Sequence, residues 1–174
     1  MSQEKSKMIF RVEGREIVVE RTFKAPRNLV FKAYSDPEHL ANWWGPEGWN
    51  TEIRTFDFEP GGVWHYCMTC VDKSQGDFYG QESWGKAVFK EIQDNEKIVY
   101  LDFFSDEEGN TSETMPEMKI TVTFIEMNGH TKVEVRSEFA TEEELEAVKN
   151  MGAVEGFGSS FDRLDEYLQK VQQG

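Results

Sequence analysis

Cysteine is scarce: two residues in a chain of 174. That is too few for a disulfide scaffold and fits a reducing compartment, so a cytoplasmic location is expected. Long apolar runs are missing as well. Nothing approaches the roughly 20 consecutive apolar residues that a membrane-spanning helix needs. Residues Met1 to Lys7 are polar and mixed in charge, lack the apolar stretch of a signal peptide, and are expected to be flexible. Basic residues are outnumbered, 19 against 33 acidic ones, for a formal net charge of −14. The acidity is spread along the chain rather than gathered in a tail. Such a surface repels phosphate backbones, so neither nucleic acid nor an anionic membrane is an expected partner. Nothing resembles a Pro/Gly/Ser linker, and 174 residues are expected to form a single domain, 1–174.

Reactive motifs are also thin. Cys67-Met68-Thr69-Cys70 is a C-x-x-C, but it falls in a strand-like run rather than at a helix N-terminus, where the dipole would lower a thiol pKa. His65 shares a face with Cys67, yet no second ligand pair completes a zinc site. His39, His65 and His130 stand apart from any nucleophile motif, and Gly152, Gly156 and Gly158 lack the lysine of a P-loop. No metal, cofactor or catalytic residue is expected.

Aromatic side chains are abundant, with 13 Phe, 5 Trp and 5 Tyr. Residues Ile17 to Phe23 read as a strand paired with Met8 to Val12 across Glu13-Gly14. A short helix then starts at Ala25-Pro26, with Pro at its first position. A second runs from Pro37 to Asn42 and stops at Trp43-Trp44-Gly45-Pro46. Strands follow at Thr51–Phe58, Val63–Thr69, Phe78–Ile92 (bulged at Gly85), Lys97–Phe104, Met118–Phe124 and Val133–Phe139. Val71 to Asp77 and Ser105 to Pro116 read as loops. Asn128-Gly129 is the clearest hairpin signal.

Thr141 to Gln172 reads as helical with a break near Asn150 to Gly152. Thr141 is its N-cap, with Glu144 placed for a capping box. Phe157, Phe161, Leu164, Leu168 and Val171 form one apolar stripe. Glu155, Asp162, Arg163, Asp165, Glu166 and Lys170 take most of the remaining circumference. The pattern is α+β: a curved antiparallel sheet wrapped around a long C-terminal helix, with two short helices after the first strand. That last helix is expected to cover the sheet alone, with a cavity between the two.

Val19-Glu20-Arg21-Thr22-Phe23-Lys24-Ala25-Pro26, Asp36-Pro37-Glu38-His39-Leu40, Trp43-Trp44-Gly45-Pro46 and Pro60-Gly61-Gly62-Val63-Trp64 resemble segments of one bacterial family. It is named for homology to the activator of heat-shock protein 90 ATPase, in the START-like (SRPBCC) superfamily. Phe157 stands where many members carry Trp. The resemblance implies the helix-grip fold of that superfamily, which holds lipid carriers, hormone receptors, cyclases and co-chaperone domains. The eukaryotic activator has two domains, and this chain has the length of one.

Trp64, Tyr66, Met68, Met118, Phe124, Phe157 and Phe161 are expected to point between sheet and helix. Phe103 is a further candidate, and Trp43, Trp44 and Trp84 would stand at the mouth. Glu82, Arg54 and Arg136 are candidates for polar contacts. The expected function is the binding of a small hydrophobic or aromatic ligand in that cavity. The alternative is a protein-interaction module, with Trp43-Trp44 as an exposed patch on which a partner docks. The third is a cyclase or dehydratase using cavity acids and bases. A monomer or a homodimer fits either way.

Overall fold

In a computed structural model of the chain, residues 8–111 and 117–173 are described. The expectations for Met1 to Lys7 and for the end of the Ser105 to Pro116 loop lie outside the described residues, the former wholly. Eight strands form one antiparallel sheet: β1 (Ile9–Glu13), β2 (Glu16–Phe23), β3 (Trp49–Phe56), β4 (Val63–Cys70), β5 (Glu82–Gln93), β6 (Lys97–Phe104), β7 (Met118–Met127) and β8 (His130–Glu138). Their order is β1-β2-β8-β7-β6-β5-β4-β3, so every neighbouring pair except β2–β8 is also consecutive in sequence. The curved sheet is of the helix-grip type.

Turn chemistry sets the registers. Gly14 closes the β1–β2 hairpin with φ 61°, and Asn128 and Gly129 both take positive φ (52° and 85°) between β7 and β8. Two positive φ values in succession are what a two-residue turn matched to strand twist requires.

Between β2 and β3 lie α1 (Arg27–Ser35) and α2 (Pro37–Leu40). Pro26 is the N-cap of α1, one position earlier than expected, with extended φ/ψ of −68° and 151°. The Asp36 carboxylate accepts from the Glu38 backbone N–H and caps α2. A 3₁₀ segment, Lys73–Phe78, stands where a loop was expected.

The C-terminal helical stretch is two helices, α3 (Glu142–Asn150) and α4 (Ala153–Gln173). Thr141 Oγ1 accepts from the Glu144 N–H at the start of α3, although the Glu144 carboxylate leaves one buried oxygen without a partner. Gly152, at φ 93°, ends α3 in the left-handed conformation that a helix C-terminus favours.

The concave face carries the core. Strand alternation places Ile17, Val19, Arg21 and Phe23 of β2, and Ile120, Val122 and Phe124 of β7, on that side, where they are buried. Two helices cover it, not α4 alone. Phe161 of α4 meets Phe23 edge-on at 5.6 Å. Phe31 and Tyr34 of α1 meet Phe124 at 5.2 and 5.4 Å. Such ring pairs add about 0.5–1.5 kcal/mol each beyond their area burial.

Asp162 and Asp165 are not simply on a solvated face. Arg21, its side chain 2 % exposed, reaches Asp162 at 2.7 Å and Asp165 at 3.7 Å, tying α4 to β2. A charge buried to that degree is tolerated only with such a counter-charge.

Candidate functional site

Where α1 and α4 diverge over the concave face, a cavity of about 290 Å³ remains. From the sheet it is lined by Tyr66 and Met68 of β4, Tyr100, Asp102 and Phe104 of β6, Met118 and Ile120 of β7, and Ser137 of β8. Tyr34 of α1 and the Trp43-Trp44-Gly45-Pro46 turn close one side. Val148 of α3, Met151 and Gly152 of the break, and Ala153, Gly156, Phe157, Ser160 and Phe161 of α4 close the other. Met151, 58 % exposed, stands at the entrance.

Both tryptophans turn inward, which corrects the expectation of an exposed pair. Trp43 is fully buried, and its Nε1 donates to the Ala33 carbonyl at 3.0 Å. Trp44 packs edge-on against Trp43 at 5.6 Å and Trp64 at 4.7 Å. Arg163 of α4 makes this possible. Its Nη1 donates to the carbonyls of Gly45, Pro46 and Trp49 at 2.9, 3.1 and 3.0 Å, anchoring the turn to the helix. Burial lowers its pKa from the ordinary guanidinium value.

Of the expected site residues, Tyr66, Met68, Met118, Phe157, Phe161, Trp43 and Trp44 come together around the cavity. Trp64 and Phe124 face the same side but do not reach it. Trp64 is enclosed by Trp44, Phe56 and Phe89, and Phe124 is capped by α1. Trp84 and Phe103 border instead a smaller pocket of about 60 Å³, which shares Tyr66, Met68, Asp102, Phe104 and Met118 with the main cavity. On β6 the inward residue is Phe104. Phe103 pairs with Lys86, one step out of phase with the cavity face.

The polar candidates lie elsewhere. Arg54 stacks over Trp84 at 5.1 Å and pairs with Glu52, Arg136 pairs with Glu134 and Glu16, and Glu82 is exposed.

Asp102 supplies the charge instead. Among the described residues it is the only acidic or basic one lining the cavity, and desolvation pushes its pKa from 3.8 to about 7, against the opposing pull of the Phe103 backbone N–H. Desolvation, reinforced by Asp102, also holds the Tyr66 and Tyr100 phenols well above their usual range. Trp44 counters this at Tyr66 with a hydrogen bond. Gly85, expected to mark a bulge, serves close packing: a Cβ there would lie 2.5 Å from the Tyr66 ring. The irregularity of β5 falls between Phe89 and Glu91.

Cys67 and Cys70 are free and buried, and burial raises the Cys67 pKa, so that thiol is held in its less reactive form. His65 is buried too, within 2.9 Å of the Asp106 carbonyl. Among the described residues, no three His, Cys, Asp or Glu side chains are grouped to hold a metal ion, and no helix is long and apolar enough to cross a membrane.

Residues 24–169 match the family model for Activator of Hsp90 ATPase homolog 1-like protein. The chain belongs to that family. Solved structures similar to this Hsp90-activator-like chain share the whole fold. A Mycobacterium smegmatis protein is 26 % identical, with a TM-score of 0.81, over 93 % of this chain and 95 % of its own. An Arthrobacter aurescens protein is 26 % identical, with a TM-score of 0.83, over 94 % and 91 %. A Staphylococcus epidermidis protein is 29 % identical, with a TM-score of 0.79, over 94 % of each. A comparison with curated protein sequences gives no match.

Proposed function

We propose that this member of the Hsp90-activator-like family binds a small, mostly apolar molecule between its sheet and α4. The observation that carries the reading is the cavity itself: about 290 Å³, walled by aromatic and Met side chains, with one carboxyl group inside. That volume lies at the lower edge of the range for ligand pockets and suits a compact molecule of about a dozen non-hydrogen atoms. Apolar burial supplies the affinity, and the polar groups of Asp102, Tyr66 and Ser137 orient the ligand. Gly156 lines the cavity with open space beside it, since a Cβ there would meet nothing within 4 Å. Two free cysteines agree with a cytoplasmic setting.

The protein-interaction alternative loses the surface on which it rested, since Trp43 and Trp44 face the interior. An acid–base enzyme would have to use Asp102, which stands beside phenols and, among the described residues, has no second carboxylate or His lining the cavity with it.

Native mass spectrometry of the purified protein, followed by thermal-shift screening of aromatic and fatty-acid libraries, tests the proposal. The expected result is a bound small molecule or a stabilising ligand whose effect disappears in Gly156→Phe, which fills the space. A clean apo mass, with no library member shifting the wild-type protein, would remove it.

A further inference from the structure

The cavity combines rings and charge in an unusual proportion. Among the described residues its lining includes the rings of Trp44, Tyr66, Tyr100 and Phe157, one carboxylate at Asp102, and no Lys, Arg or His. Asp102 has no cation paired with it among the described residues; the Phe103 backbone N–H donates to it, and the Tyr66 and Tyr100 phenols stand near it. A carboxyl group in a poorly hydrated space either keeps its proton or, once ionised, needs a partner of opposite charge. The fold holds that group on a central strand, between Ala87 of β5 and Met118 of β7, where no mobile basic side chain neutralises it.

We propose that the molecule held in this cavity carries an ammonium group on a short hydrocarbon body, with the cation seated on Asp102 beside Tyr66 and Tyr100. This deepens the ligand-binding reading and rests on it.

Three physical arguments converge. An ammonium gives Asp102 the hydrogen-bond donor and counter-charge that the chain withholds. Aromatic faces within about 6 Å attract a cation through their quadrupole, and more strongly when water is excluded. Trp44 and Tyr66 touch edge to face, 5.9 Å apart and nearly perpendicular, so the cavity wall presents two rings of different orientation to a bound group. The net charge of −14 raises the local concentration of cations and opposes anions. An anionic ligand, by contrast, would place two like charges in one poorly hydrated space with no cation in the lining. A pure hydrocarbon would bury Asp102 without a partner.

Calorimetric titration of the full chain with four probes of nearly equal shape tests this: 2-phenylethylamine, n-propylbenzene, 2-phenylethanol and 3-phenylpropionate. At about pH 8, where Asp102 is ionised and the amine protonated, the amine should bind at least roughly tenfold more tightly than the hydrocarbon or the alcohol, and the anion weakest. Asp102→Asn should erase the preference and bind n-propylbenzene at least as tightly as the wild type does, because no unpaired carboxylate then has to be buried. Wild-type protein gives an independent readout. Lowering the pH to about 5.5 should weaken the amine at least roughly tenfold and leave the hydrocarbon no weaker, since protonated Asp102 offers no counter-charge and no longer has to be buried as an unpaired charge. The other titratable groups facing Asp102 across the cavity, Tyr34 of α1, Tyr66 of β4 and Tyr100 of β6, are neutral throughout that range.

Equal or tighter binding of the hydrocarbon or the alcohol would overturn the ammonium proposal and leave the apolar cavity standing. So would a preference that persists in Asp102→Asn or at low pH. Failure of all four probes on wild-type protein, together with the apo mass, would remove both.

Discussion

Replacing Asp102 with Asn should stabilise the protein above neutral pH and change little in acid. The carboxyl has an ordinary value of 3.8 and a folded value of about 7, set by desolvation. A folded value above the unfolded one means that the folded chain holds the proton more tightly. Stability from this group is therefore fully present below about pH 4 and is lost as pH rises to about 7. At about 1.4 kcal/mol per pH unit, the whole span is worth on the order of 4 kcal/mol. The residue is only half-buried, so about 2–4 kcal/mol is the range expected. Asparagine has no such proton.

Urea denaturation of both proteins across that pH range measures the difference directly. Glu13, Asp72, Glu91 and Asp106, whose pKa values are lowered, also make stability pH-dependent, but they are common to both proteins and cancel. The stability of Asp102→Asn relative to wild type should climb from pH 4 to 8 and then level. A difference independent of pH would refute the argument that Asp102 is desolvated on the cavity wall.

Arg21→Met should cost about 3–5 kcal/mol in urea unfolding, because it strands the Asp165 carboxylate, and a second change, Asp165→Leu, should recover most of that. Arg163→Lys should lower stability by about 2 kcal/mol and shift tryptophan emission to longer wavelength, since a point charge on a flexible stem cannot serve three carbonyls as the guanidinium fork does. Gly156→Ala should raise stability by about 1 kcal/mol, read from the urea midpoint, because the site is helical and the added methyl meets empty space.

Much of the architecture was legible because its signals are local. The Asn128-Gly129 turn, the 3.6-residue stripe on α4, the Thr141 cap and the alternation of β7 each depend on residues close together in the chain. The site was legible only where alternation had a clear phase. Met118 of β7 and Tyr66 and Met68 of β4 were placed on the cavity face for that reason. On β6, Ile98, Val99, Tyr100, Leu101, Phe103 and Phe104 are apolar on both faces, so alternation has no phase there and separates neither Phe104 from Phe103 nor Asp102 from the solvated side. Pairing resolves it, because Asp102 lies opposite Met118 and Tyr100 opposite Ile120.

Long-range contacts left no local trace. Nothing near Trp43-Trp44 indicates that Arg163, about 120 positions away, holds their turn against α4. Likewise nothing near Asp162 or Asp165 points to Arg21. Gly85 was recognised as unusual, but the reason lies on the adjacent strand, in the ring of Tyr66.

The most direct test of the central claim is backbone amide correlation NMR of the wild-type protein titrated with n-propylbenzene. The account predicts shifts concentrated at Gly85, Phe104, Gly156 and the Trp44 indole N–H, and their loss in Gly156→Phe. Saturating hydrocarbon that leaves those signals in place, or moves only the exposed Ile9, Phe10 and Val12 of edge strand β1, would contradict it.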